Sequence, residues 1–423
     1  MIRESSDPAI RHDDQSLTTM RLLYVACPTS LTLASANAVQ TWSTLRELRR
    51  LAPRTLALVP RWWREPTRFA EVGARHLLRP AIGKLSRIYP STLWYYAERS
   101  IFAAMTAAVA LFAGLRGRWF EAVYVRDTVA AFWWAVVFGP ALGIPVVYEA
   151  HDLESTNPSG AKEPWAQGLV RGLDEGALRQ SAHVVSLTED FRRQLAEEKL
   201  RFPEDVTVIP DAFDDEVFRP GDLAGARTEL GLPQGPRIVA YAGLTFAHRG
   251  LPLLLEAAGA LRALHPALLV VLVGGRAGEI RALRELADRI GLGDTVLLTG
   301  PRPQAEVVRY LQAADVLVIP DTVSVVTASP LKLFEYLACE RVVVVPDIPA
   351  LVEILPRNVG YYFRRGEANA LAAALERALV DPDRGRRAAA GAVAVRHHTY
   401  AARARRILAV TAAVGRATAS GPR

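Results

Sequence analysis

The sequence predicts an α/β protein of two doubly wound parallel-sheet domains, on three observations. Short apolar runs at 22–26, 268–273 and 342–345 lack the polar alternation of a half-wet strand, so each reads as a strand covered on both faces. Helix-length segments separate these runs, and such alternation implies parallel sheets whose ligands bind at the carboxyl ends of the strands. The 423 residues are long for one core, and Asp, Pro and Gly cluster between Pro210 and Gly235, dividing the alternation into two series.

The first series opens on the strand Leu22–Ala26, a loop over Cys27–Ala34 and a helix from Ser35 to Arg50. Further strands are expected at 56–60, 122–125, 146–148, 184–186 and 206–209. Ile101–Leu115 is apolar but short for a membrane span and reads as a buried helix. Thr128–Tyr148 is uncharged and long enough to span, but Gly139, Pro140, Gly143 and Pro145 divide it into a helix, Val129–Phe138, a turn and a strand. The second series opens on Ile238–Gly243. Helices are expected at 251–264, 279–290 and 306–313, and strands at 268–273, 296–298, 316–319 and 342–345. An amphipathic helix over 400–414 leads into a Gly/Ser/Pro tail. The expected organisation is a polar, disordered leader over 1–20, domains at 21–212 and 213–395, and a final helix and tail at 396–423.

Cys27 and Cys339 are too few and too far apart for a disulfide framework or a zinc site, which favours a reducing, cytoplasmic setting. Residues 1–20 lack the apolar core of a signal peptide. The net charge of +7 is uneven: residues 21–121 hold 15 Lys/Arg against 5 Asp/Glu, and the rest is slightly acidic. Trp62, Trp63, Phe69, Tyr89, Trp94, Tyr95 and Tyr96 sit among these cations. Basic and aromatic side chains together suit an anionic membrane surface, and the place expected is the inner face of the plasma membrane. No nucleic-acid motif accompanies them, so nucleic acid is not an expected partner. There is no Gly-x-Gly-x-x-Gly after the first strand and no Walker loop, which weighs against a dinucleotide or P-loop site.

Thr327 to Cys339 lies between two apolar runs and reads as a loop and short helix between parallel strands. Ser329 suits an N-cap and Pro330 the first helical position, where unpaired N–H groups and the helix dipole attract phosphate. Lys332 and Glu335, three apart, share one helix face. A cation for a diphosphate beside a carboxylate for ribose hydroxyls is what a nucleotide-sugar site needs. A solvated Lys–Glu pair is the plainer alternative. Gly274-Gly275, between a strand and a helix, allows close backbone approach to a ligand.

With these residues in place the chain resembles the family 4 retaining glycosyltransferases, whose GT-B fold faces two Rossmann-like domains across a cleft. Four stretches in order carry the resemblance: Ala242–Gly250, Leu269–Gly275, Leu297–Gly300 with Tyr310–Val316, and Ser329–Ala338. Tyr148–Asp152 and Val208–Asp214 also match family landmarks. The resemblance implies that Arg249 and Lys332 pair with the donor diphosphate and that Glu335 holds the ribose. It implies that His151 faces the donor sugar and that backbone near Gly275 and Pro301-Arg302 holds the base. Gly243, Gly274, Thr327, Ser329, Pro330 and Leu331 complete the donor side, and Ser35 and Asn37 lie on the acceptor side. It further implies that the final helix returns to the first domain.

The chain departs from the family at named places. Thr327 stands where an earlier glutamate is usual, Glu340-Arg341 where glycine is usual, and Asp211 where asparagine is usual; Ser30–Asn37 lacks a common Gly-Gly pair. The implied activity is sugar transfer from a UDP- or GDP-sugar to a glycan or lipid-linked acceptor, with retention and without metal or other cofactor, in cell-surface polysaccharide or glycolipid synthesis. A nucleotide-sugar 2-epimerase on the same fold and a non-catalytic partner subunit are the alternatives.

Overall fold

A computed structural model describes residues 14–79, 91–156, 164–246, 249–322, 326 and 329–420. The chain divides into two compact units, residues 1–210 with 400–423, and residues 211–399.

The first unit runs α1 (Asp14–Thr19), β1 (Leu22–Val25), α2 (Ala36–Leu51), β2 (Leu56–Arg61), β3 (Arg75–Leu78), α3 (Ser91–Leu115), β4 (Ala122–Val125), α4 (Thr128–Trp133), α5 (Gly139–Leu142), β5 (Val146–Ala150), α6 (Gln167–Gln180), β6 (His183–Ser186), α7 (Glu189–Glu197) and β7 (Val206–Val208). Its seven strands lie in the order β3-β2-β1-β4-β5-β6-β7, all neighbours parallel. The order reverses between β1 and β4, the switch point at which open sheets of this kind leave a crevice. β1 and β4 are buried along their whole length, as their apolar runs require.

The second unit runs α8 (Leu223–Glu229), β8 (Ile238–Ala242), α9 (Leu251–Leu261), β9 (Leu269–Val273), α10 (Ala277–Arg289), β10 (Val296–Gly300), α11 (Gln304–Ala313), β11 (Val316–Val318), α12 (Leu331–Ala338), β12 (Val342–Pro346), α13 (Pro349–Val352), β13 (Tyr361–Phe363), α14 (Ala368–Val380) and α15 (Arg384–Val395). Its six strands lie in the order β10-β9-β8-β11-β12-β13, again parallel, with the switch point between β8 and β11. Apolar cores cover both faces of this sheet.

The chain then enters α16 (Tyr400–Ser420), which belongs to the first unit and lies against α2 and β4. Arg403, 3 % exposed, donates to the carbonyls of Ile209 and Pro210. Its Nη2 lies 2.7 Å from Glu149 Oε2. Residues 396–399, expected with this helix, group with the second unit instead.

Three expectations are corrected. The leader is not disordered throughout: within it, 14–19 is helical and Leu17 and Met20 are buried in the core beside Leu22, Leu45 and Leu408. Leu17 and Met20 supply the apolar contacts that order this part of the leader; residues 1–13 lie outside the described ones. Gly139-Pro140 does not end the helix begun at Thr128. A π turn over Trp134–Phe138 carries the chain into α5, where Pro140 sits in the first turn and needs no donor; the stop comes at Gly143, φ +67°. Finally, α3 is longer than expected and only partly buried: Ile101, Leu111, Phe112 and Leu115 are exposed.

Candidate functional site

Around the second unit's switch point, the loops after β8 and β9 touch. Gly243 stands at φ +138°, Gly274 at φ +111° and Gly275 at φ +89°, a region that side chains disfavour. A Cβ on Gly274 would lie 2.3 Å from the Gly243 carbonyl oxygen, and one on Gly275 would lie 2.5 Å from Thr245 Oγ1. The Gly243 N–H donates to Val273 O at 2.9 Å and the Gly274 N–H to Gly300 O at 2.9 Å, so the ends of β8, β9 and β10 are tied edge to edge. Glu279, in the first turn of α10, accepts from the Arg276 N–H at 3.1 Å and from the Thr245 hydroxyl. Arg302, just after β10, is exposed and lies 3.6 Å from Glu306.

α12 begins one residue later than expected. Pro330 is the N-cap, with φ −73° and ψ 122°, and Leu331 is the first helical residue. Ser329 does not cap; its hydroxyl, in a residue 7 % exposed, accepts the Asp211 N–H at 3.1 Å. Packing against the turn at 211 outcompetes the local cap because it satisfies a buried donor. Tyr336 ties the helix to β8: its hydroxyl accepts the Ala242 N–H at 2.7 Å and lies 3.2 Å from the Ala242 carbonyl.

Lys332 and Glu335 share a helix face but form no ion pair among the described residues. The Lys332 ammonium donates to Tyr241 Oη at 2.8 Å and lies 4.0 Å from that ring's centroid. A Cβ on Gly243 would come within 2.9 Å of it, so glycine there makes its room. Burial, and then the Arg249 cation, hold the Lys332 pKa well below that of a free lysine, with Glu335 opposing. Burial pushes the Glu335 carboxyl up to about 7; Lys332 lowers it and Asp211 raises it. Arg249 lies before α9, and its Nε is buried with no partner among the described residues. Two cations that repel each other, one with an unmet buried donor, make a site complementary to an anion. Thr327 lies outside the described residues.

In the first unit, Ser35 N-caps α2 by accepting the Ala38 N–H, and Asn37 Oδ1 accepts the Thr29 N–H at 3.2 Å. Both therefore shape the loop after β1. His151 follows β5, its Nε2 2.9 Å from Glu149 Oε1 and 3.1 Å from Arg126 Nη2. Burial chiefly lowers the His151 pKa, so the ring is neutral at pH 7. Glu149, fully buried, is the hub. Its oxygens meet Arg126 Nε at 2.9 Å, Arg403 and the Tyr124 hydroxyl, while Arg126 also reaches Gln40 and Thr41 of α2. Burial alone would raise the Glu149 pKa; Arg126 and Arg403 outweigh it and hold the carboxyl well below the usual range.

Sequence reasoning missed Tyr241, Thr245, Glu279, Arg126 and Arg403. A tyrosine inside an apolar strand and acids at a strand end or helix start were the visible signals. His, Cys, Asp and Glu side chains form no metal-holding group of three among the described residues.

Residues 225–394 match the family described as glycosyl transferases group 1, and residues 35–212 match the glycosyl transferase 4-like domain. The chain belongs to family 4 of the glycosyltransferases. Its curated relatives include D-inositol 3-phosphate glycosyltransferases from Thermobispora bispora, 32% identical over 60% of this chain and 61% of the relative. The same activity is named for a protein of Stackebrandtia nassauensis, 31% identical over 59% and 58%. The chain spans about half the length of the curated relatives it matches. In fold, the chain is similar to sucrose-phosphate synthase from Thermosynechococcus elongatus, with TM-score 0.73, 18% identity, 94% of this chain and 100% of the other. It is also similar to Anabaena HepE, solved with UDP, with TM-score 0.70, 17% identity, 93% of this chain and 100% of the other. The fold of the chain is thus GT-B, two open parallel-sheet domains.

Proposed function

We propose that this glycosyltransferase moves a sugar from a nucleoside diphosphate donor, a UDP- or GDP-sugar, to an acceptor hydroxyl with retention at the anomeric carbon and without a metal. The observation that carries this reading is the pair of converging cations, Lys332 and Arg249, beside the strand-end glycines. Two cations neutralise the leaving diphosphate, and the cradle of Gly243, Gly274 and Gly275 lets backbone approach it. Leu331, first in α12, and Pro330 bring the helix's free N–H groups to the same anion. Glu335 accepts from the ribose hydroxyls, and the exposed Arg302 borders the base.

The bond from the anomeric carbon to the phosphate oxygen breaks while the acceptor oxygen attacks the same face. The acceptor proton passes to the departing diphosphate oxygen, so no side-chain nucleophile is required. His151 of the first unit offers a sugar hydroxyl the ring edge not engaged by Glu149.

The acceptor is a glycan or a lipid-linked glycan, in cell-surface polysaccharide or glycolipid synthesis, with the enzyme peripheral to the cytoplasmic face of the membrane. The relatives' names add a phosphorylated cyclitol to the acceptors worth assaying.

A thermal-shift panel of UDP, GDP, ADP and dTDP with their sugars tests the donor site. Stabilisation by one of them in wild type and none in Lys332→Ala is expected. No shift, or an equal shift in the variant, overturns the assignment. Incubation with the stabilising donor, with and without acceptors and chelator, then separates transfer from epimerisation and from binding without turnover.

A further inference from the structure

At the opposite end of the first sheet, where β1, β2, β3 and β4 begin, lies a cavity of about 560 Å³. Ligand crevices in such folds open at the carboxyl ends of strands, so this one is no part of the donor or acceptor site. Arg21, Arg49, Arg54, Arg75, Arg116 and Arg118 line it, without a carboxylate among the lining residues. None of the six forms an ion pair among the described residues, although most arginines elsewhere in the unit do. Glu121, next in sequence to the lining Phe120, accepts the Arg21 backbone N–H at 2.9 Å.

The cavity is built rather than incidental. Arg49 is fixed by donating to the Gly73 carbonyl at 2.8 Å, and a Cβ on Gly73 would lie 2.7 Å from its guanidinium carbon. Thr55, also in the lining, is 2 % exposed, and its hydroxyl has no partner among the described residues. An array of guanidinium groups without carboxylate partners, around a buried hydroxyl unmet among the described residues, suits phosphate oxygens.

The rim says where the phosphate comes from. Leu111, Phe112 and Leu115 at the end of α3 are 44%, 54% and 75% exposed, and Trp119 is 47% exposed. The Arg116 guanidinium lies 3.8 Å from the Phe112 ring centroid. A free phosphate needs no such apolar border, whereas a lipid leaflet offers phosphates and acyl chains together. Leu93–Leu115 has the length and hydropathy to cross a membrane, yet α3 is tied to its domain. Trp133 Nε1 donates to Ser100 Oγ at 2.8 Å and Trp134 Nε1 to Thr106 Oγ1 at 2.9 Å. A helix held on one side and apolar on the other fits lying on a surface.

We propose that this arginine cavity and the adjoining end of α3 form a binding site for anionic phospholipid headgroups, which docks the start of the first sheet on a membrane. The site goes beyond the sugar-transfer reading and does not depend on it.

The test is co-sedimentation of the full chain with neutral phosphatidylcholine vesicles and with vesicles containing anionic phosphatidylglycerol. Binding only to the anionic vesicles, weakening with salt, is expected. Arg54→Ala with Arg116→Ala, both exposed, is expected to lower partitioning roughly thirtyfold at unchanged melting temperature. Leu115→Ser with Phe112→Ser lowers it without altering net charge. Wild type that ignores anionic vesicles, or variants that bind like wild type, overturns the proposal. So does stabilisation by inorganic pyrophosphate that needs Arg54 and Arg116 while vesicles stay unbound, because the site then serves a soluble anion. Nucleotide binding with no vesicle binding sinks this site alone; the reverse sinks the donor site alone.

Discussion

The Lys332 ammonium lies 2.8 Å from Tyr241 Oη and 4.0 Å from the centre of the same ring, so the key cation of α12 rests on the strand at the switch point. The tyrosine holds the charge without neutralising it. That leaves it available for an anion and costs stability in its absence.

Lys332→Met should therefore separate binding from stability. Nucleotide-induced stabilisation disappears and kcat/KM falls about a hundredfold or more, as for loss of a preorganised charge. The ligand-free protein melts higher. The sign follows from protons: the folded lysine holds its proton less well than the unfolded one, so wild-type stability rises with pH between the lowered folded pKa and the ordinary lysine value. Melting curves from pH 6 to 10 should show that rise in wild type and its loss in the variant.

Glu335 gives the opposite trend. Its folded pKa of about 7 lies above the usual carboxyl value, so the folded state binds the extra proton and wild-type stability declines as pH rises from about 4.5 to 7. Glu335→Gln removes the decline. The variant should match wild type near pH 4 and be more stable at pH 8 by on the order of 1–2 kcal/mol, the carboxyl being partly accessible. Chemical denaturation at the two pH values checks this, and weaker binding of the nucleoside than of diphosphate alone checks the ribose role.

Gly274→Ala tests the cradle. Its Cβ would meet the Gly243 carbonyl at 2.3 Å from a backbone at φ +111°. The β8 and β9 loops must separate, at a cost of about 1–3 kcal/mol in backbone strain. Titration calorimetry should show loss of nucleotide affinity, while Gly278→Ala, with open space around it, behaves as wild type.

Glu149→Gln should destabilise the first unit by about 3–5 kcal/mol, because Arg126 and Arg403 are left as buried charges without their partner. Glu149 contributes its stability above the unfolded carboxyl pKa and loses it as pH falls through its much lower folded value. Urea midpoints should thus fall steeply in acid for wild type and less so for the variant. Faster hydrogen exchange in α16, which Arg403 anchors, is the accompanying local sign.

The sequence by itself determined the strand–helix alternation, the parallel sheets, the candidate Lys–Glu helix and the family. These rest on local pattern: apolar runs, glycines at strand ends and residues three apart on one helix face. Only the tertiary structure decided what each side chain does. Ser329 satisfies the Asp211 amide rather than its own helix, and Lys332 faces Tyr241 rather than Glu335. Glu149 gathers Arg126 and Arg403 from opposite ends of the sequence, and α3 keeps one apolar face outside the core. Such outcomes depend on which distant group comes within hydrogen-bond reach and on which faces are covered, and neither is written in local periodicity.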